Sequence, residues 1–131
     1  MAVLPVTTLA TALLGLLLLA LSFRVIAVRR AGQVSLGSGG NKLLEKRIRA
    51  HGNFCEYVPF CLILLGLLEA GAVLPTAALQ GLAALLVLAR LSHPAGIEGA
   101  GMGFRMFGMI GTFAVVIIAS ITLLLRAFGA V

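Results

Sequence analysis

The sequence predicts an all-α membrane protein, a four-transmembrane-helix bundle forming a single domain over residues 1–131. Three observations lead there. Of the residues, 61% are hydrophobic and 11% charged, and the mean hydropathy is +1.16, a composition of integral membrane proteins. Three uncharged windows, 4–23, 70–89 and 106–125, each run about twenty residues, the length a helix needs to cross roughly 30 Å of hydrocarbon. Basic residues gather in alternate connections, the asymmetry expected of a multi-pass chain.

The first span covers about residues 4–28. Its opening, MAVLPVTT, carries no basic segment and its arginines follow the apolar run, so it reads as a retained helix and not as a secretory signal. A Gly/Ser loop, AGQVSLGSGGN, leads to the second span, about 45–70. Here the uncharged run, 57–68, has only twelve residues, against the roughly seventeen a crossing requires. A crossing helix must therefore reach back through Glu56, Asn53 and Arg49. Pro59 is expected to bend it by freeing the carbonyl of Cys55. Cys55 and Cys61, six apart on this one helix, cannot bridge each other. The turn EAGAVLPT opens the third span, about 75–93, with Pro75 in its first turn and Pro94 ending or kinking it. The glycine-rich AGIEGAGMG, 95–103, reads as a mobile connection, equally a plain linker or a lid. The fourth span covers about 105–126.

Arg24, Arg29, Arg30, Lys42, Lys46, Arg47 and Arg49 surround the first connection, Arg90 and Arg105 flank the third, and Arg126 alone lies at the opposite end. The positive-inside rule then places these two connections in the cytoplasm and both termini outside. The net charge of +6 serves that topology and attracts anionic lipid or anionic ligands. Nucleic acid is not an expected partner, because no basic patch is interleaved with aromatics, and no metal site is expected.

Arg49, Asn53 and Glu56 are spaced i, i+4 and i+7, so at about 100° per residue they fall within roughly 60° of one another. Lys42 and Lys46 continue the stripe. Such a polar face should point into the bundle or a subunit interface. Arg90 and His93 share a face of the third helix, and Arg105 opens the fourth at similar depth. Together these groups suit a small anionic molecule that also carries an ammonium group, with arginines clamping carboxylates and Glu56 receiving the amine. The alternative is that Arg49 and Glu56 neutralise each other while Arg90 and Arg105 snorkel.

The stretch RAHGNFCEYVP, 49–59, resembles the motif Arg-Ala-x-x-Asn-x-x-Glu-Tyr/Phe-x-Pro of the membrane-associated proteins in eicosanoid and glutathione metabolism, the MAPEG family, at Arg49, Ala50, Asn53, Glu56, Tyr57 and Pro59. VRRAGQVS and LARLSH look like the ends of the first and third helices of the family's leukotriene-forming synthases, and FRMFGM resembles the start of the fourth in small bacterial members. The resemblance implies a homotrimer in a bacterial inner membrane, with glutathione as co-substrate between subunits near the cytoplasmic face. Arg49, Asn53, Glu56 and Tyr57 would hold the tripeptide, and Arg29, Arg30, Arg90 and His93 would contribute around it. Arg105 stands where the family's catalytic arginine is found and would stabilise the thiolate. The implied activity is that of a glutathione transferase or peroxidase-like enzyme acting on a lipophilic small molecule delivered through membrane lipids. His93 and Ile97 replace the tyrosines of eicosanoid-forming relatives, so eicosanoid synthesis does not carry over. Two other functions fit the same residues: a non-catalytic lipid-binding or scaffold protein of this fold, and a small proton-coupled transporter using Glu56.

Overall fold

The computed structural model describes residues 3–130. It comprises four helices, α1 (Pro5–Ala31), α2 (Lys42–Ala70), α3 (Thr76–Ala95) and α4 (Met102–Ala127), with α3 prolonged by a π-helical turn, Gly96–Ala100. No strand occurs among the described residues. All four helices are long and apolar enough to cross a membrane. Each overruns its expected span at the basic end: α1 ends at 31 instead of 28, α2 begins at 42 instead of 45, α3 ends at 95 instead of 93 and α4 begins at 102 instead of 105. In α1 and α2, where the added residues include Arg29, Arg30 and Lys42, the reason is that charge terminates an apolar run without terminating a helix. Arginine, lysine and glutamate are good helix formers, and their long side chains reach out of the hydrocarbon while the backbone ladder continues.

The helix ends are fixed locally. The Asn41 side chain accepts from the amides of Leu43 and Leu44, both at 3.0 Å, the usual work of an N-cap. Leu4, at the start of α1, provides no such cap. Glu69, at the far end of α2, does so from outside: its carboxylate accepts from the amides of Val6 at 2.9 Å and Thr7 at 2.7 Å. A negative charge there also meets the positive end of the helix dipole. α2 runs unbroken through Pro59.

The first part of the glycine-rich connection, Gly96–Ala100, is a π-helical turn that leaves helical geometry at Gly99, φ 131°. Pro94 is buried and α3 continues past it through Ala95 into the π-helical turn. A proline removes one i→i−4 bond, and the wider π turn accommodates the loss. Ser92 Oγ then donates to the carbonyl of Phe104 at 2.7 Å, lacing α3 to the start of α4.

α2, α3 and α4 build the core, with Phe54, Val58 and Leu65 of α2 against Leu82 and Leu86 of α3 and Val115 and Ala119 of α4. α1 is peripheral and buries only Ala10, Leu14 and Leu21. Leu9, Leu16, Phe23, Ile63, Ile117 and Ile121 are exposed, as residues facing lipid should be. Between lipid-solvated helices no hydrophobic force drives contact, so small residues that permit close approach carry the packing. α3 and α4 meet in this way, with Gly108 and Gly111 of α4 against Ala89 and His93 of α3.

A methyl group on Gly108 would lie 2.5 Å from Cβ of His93 and 2.8 Å from the carbonyl oxygen of Ala89. Gly108→Ala is therefore expected to lower the thermal midpoint in detergent, in line with about 1–3 kcal/mol for overpacking. Gly81→Ala meets nothing within 4 Å, and its midpoint should hold or rise, since glycine inside a helix costs roughly 1 kcal/mol relative to alanine. Equal behaviour of the two variants in the same melting experiment would refute the close-packed seam.

Candidate functional site

The basic end of the bundle is organised around Arg90. This α3 side chain is 1% exposed, yet its donors reach acceptors on two other helices: Nη1 donates to Asn53 Oδ1 of α2 at 3.0 Å, and Nη2 to the carbonyl of Gly108 on α4 at 2.8 Å. The same carbonyl accepts from Thr112 Oγ1 at 2.8 Å. Both partners of Arg90 are neutral, and its Nε has no acceptor among the described residues. Arg90 thus does not snorkel. It is an interior cation tying three helices together.

The expected single polar face on α2 is divided. Asn53 is turned inward to Arg90 and is 4% exposed, whereas Arg49 and Glu56 lie outside. Their side chains are 66% and 52% exposed and pair with each other, Nη1 to Oε1, at 3.4 Å. The roughly 60° spread of the three positions is wide enough to straddle the edge of the packed surface. Tyr57 is half-buried, with its ring centroid 5.6 Å from that of Phe113. His93 of α3 is buried against Gly108 of α4. Arg105 is exposed on the first turns of α4.

Arg29 donates to the carbonyls of Gly37 at 2.9 Å and Ser35 at 3.4 Å, so it already holds the α1–α2 loop. Arg30 is exposed. The structure thus divides these residues into a buried group, Asn53, Arg90 and His93, and an exposed group, Arg49, Glu56 and Arg105. Beside Arg105, an apolar groove of about 640 Å³ is lined by Leu88, Leu91, Ala95, Phe104 and Phe107. Its lone side-chain hydroxyl, Ser92, is the one engaged with Phe104.

Two clusters escaped the sequence reading. Glu98 on the π-helical turn pairs with Arg24 of α1 and lies 3.5 Å from Arg47 of α2. The clue was available: nine of the ten basic residues sit at this end, and an acid inside such a field will find a cation. The second is Ser22 with His51, where Ser22 Oγ donates to the carbonyl of Leu18 at 2.9 Å and lies 3.0 Å from His51 Nε2. Both cysteines are free, Cys61 buried and Cys55 exposed.

Four helices long and apolar enough to cross a membrane, with a buried interhelical arginine at their basic end, define an integral membrane protein of the four-helix class. Within that class the chain belongs to the MAPEG family, which it matches over residues 7–125. It is also similar to the inner membrane protein YecN of Escherichia coli strain K12, at 32% identity over 114 residues covering 86% of each chain. YecN of E. coli O6:H1 strain CFT073 matches to the same extent.

Asn53→Ala removes one of two acceptors from a buried guanidinium. The expected result is a loss of stability of about 1–3 kcal/mol, read as a lower unfolding midpoint in detergent, whereas Arg49→Ala on the exposed pair should shift it by less than about 1 kcal/mol. Similar midpoints for both variants would contradict the division into interior and outward sets.

Proposed function

We propose that this protein is a glutathione-binding membrane enzyme of the transferase type, which adds the thiolate of glutathione to a lipophilic electrophile. The observation that carries this reading is the exposed cation of Arg105 beside an apolar groove open to the bilayer, with Arg49 and Glu56 outward-facing at the same end of the bundle. Glutathione has two carboxylates, an ammonium group and a thiol, so arginine forks and one carboxylate complement it. A free thiol with a pKa of about 8.5 is mostly protonated near neutrality, and a fixed cation raises the thiolate fraction. The thiolate sulfur then attacks the electrophilic carbon, and the leaving group departs with the bonding pair. Arg49, Glu56 and Tyr57 contact the tripeptide, with Arg30 at the rim. Asn53, Arg90 and His93 support the site from within, and Arg29 does so by holding its loop.

The protein assembles as a homotrimer in this reading. A glutamate some twenty ångströms into α2, by the 1.5 Å rise per residue, is poorly placed facing lipid and well placed facing a neighbouring copy. The similarity to YecN, named as an inner membrane protein, supports the same location here; the orientation, basic connections cytoplasmic and termini outside, rests on the distribution of Lys and Arg alone.

Purified protein should conjugate glutathione to a chloronitrobenzene, with chloride released. Arg105→Ala is expected to lower kcat by at least about tenfold while the affinity for glutathione changes little, because a group that acts on the thiolate contributes mainly to the transition state. No binding and no conjugation at any accessible pH would overturn the reading. A non-catalytic lipid-binding protein, which the apolar groove by itself would favour, predicts no turnover for Arg105→Ala to abolish.

Glutathione should also raise the thermal midpoint by mass action. Glu56→Gln, which loses the ammonium partner, is expected to weaken glutathione about tenfold, or 1.4 kcal/mol, and to shrink that shift at fixed ligand concentration. An undiminished shift would remove Glu56 from the site.

A further inference from the structure

The geometry points to Glu98 as a positioning residue, which clamps the α3–α4 connection onto α1 and α2 and so fixes where Arg105 stands; its consequence for turnover rests on the transferase reading above. The Glu98 side chain is 14% exposed, and its Oε2 is shared by Nη2 of Arg24 and, at 3.5 Å, Nε of Arg47. Arg47 Nη1 in turn donates to the backbone carbonyl of Arg24 at 3.0 Å. The three residues form a closed ring joining α1, α2 and the π-helical turn. An isolated surface ion pair contributes little, but here one carboxylate sits between two guanidiniums and offsets one of their two positive charges. Its removal leaves Arg24 and Arg47 facing each other.

The chain between Glu98 and Arg105 is built to move if that ring opens. Gly99 and Gly101 stand at φ 131° and 121°, conformations that other residues rarely adopt, and a side chain added at either would meet nothing within 4 Å. On the other side of Glu98, Gly96 abuts the backbone of Arg105, and a methyl group there would lie 2.3 Å from its nitrogen and 2.7 Å from its Cα. Arg105 is therefore seated against a residue only two positions from the clamp. A displaced turn displaces the cation directly.

The test uses the full chain in detergent, with hydrogen exchange followed by mass spectrometry over residues 96–105 and steady-state kinetics with glutathione and a chloronitrobenzene. Glu98→Gln and Arg24→Gln should each accelerate exchange across 99–105 and lower kcat by about tenfold, the order expected for ångström-scale misplacement, with KM for glutathione held within about twofold. The double variant should be no worse than the poorer single one, because both lose the same interaction. Glu98→Asp should recover part of kcat. Gly96→Ala, which pushes on Arg105 with the ring intact, should reproduce the loss of kcat. Should Glu98→Gln fail to fold, Arg24→Gln, whose side chain is 42% exposed, carries the same comparison.

Unchanged exchange over 99–105 would overturn the clamp whatever the kinetics. Faster exchange with unchanged kcat would overturn the positioning role. Additive losses in the double variant would reduce Glu98 to a general stabiliser and overturn it as well. Absence of turnover in the wild type would remove the transferase reading and the kinetic half of this inference, whereas faster exchange in Glu98→Gln would still establish the clamp.

Discussion

A guanidinium buried among membrane helices sets the terms for the rest of this fold. Removing an ion from water costs several kcal/mol even after relaxation, so Arg90 can occupy the interior only where acceptors are waiting. They come from α2 through Asn53 and from α4 through the backbone of Gly108. That second acceptor imposes a condition on sequence, because a helix carbonyl can be reached laterally only if its own residue and the facing one leave space. Gly108 has no side chain, and it lies directly over His93 and Ala89. The close α3–α4 seam and the buried arginine are thus one constraint seen from two sides. Neither would persist without the other.

This constraint sorts the polar residues at the basic end. Asn53 and the Gly108 carbonyl are engaged by Arg90, whereas Arg49, Glu56 and Arg105 are exposed. The carboxylates are sorted similarly. Glu69 caps α1, Glu98 joins α1 and α2 to the connection, and Glu45 sits in the first turn of α2, where the helix dipole favours an acid. Glu56 faces outward with Arg49. Its pairing lies within α2 and ties no two elements together, which leaves it available to a ligand.

How far the sequence discloses this depends on the range of the interaction. The helices were legible because hydrophobic runs are local, and their ends at the basic side were not, because a helix stops where caps and packing stop it and not where an apolar run does. The i, i+4, i+7 spacing correctly grouped Arg49, Asn53 and Glu56 on one side of α2, but periodicity resolves angle only within a helix. Which edge of that arc faces a neighbour depends on how α3 packs, so the inward turn of Asn53 could not be read. Glu98 was less accessible still. Its partner Arg24 lies 74 positions away, and a glycine-rich flank resembles a linker by composition alone. The conformation of 95–103 follows from Pro94, the π turn and that distant ion pair acting together.

The pairing of Arg49 with Glu56 is compatible with the proposed ligand. At 3.4 Å, with both side chains more than half exposed, the pair contributes no more than about 1 kcal/mol, so separating it costs little. A zwitterion offers each partner a replacement, a carboxylate for the arginine and an ammonium for the glutamate. The exchange replaces one ion pair with two and moves them into a more enclosed setting, where they are screened less. Arg90 offers no such exchange: opening its bonds would strand a buried charge before any ligand arrived. In the proposed reading, glutathione is therefore recognised by the weak, exposed pair, and the strong interior arginine acts by holding the helices that present it.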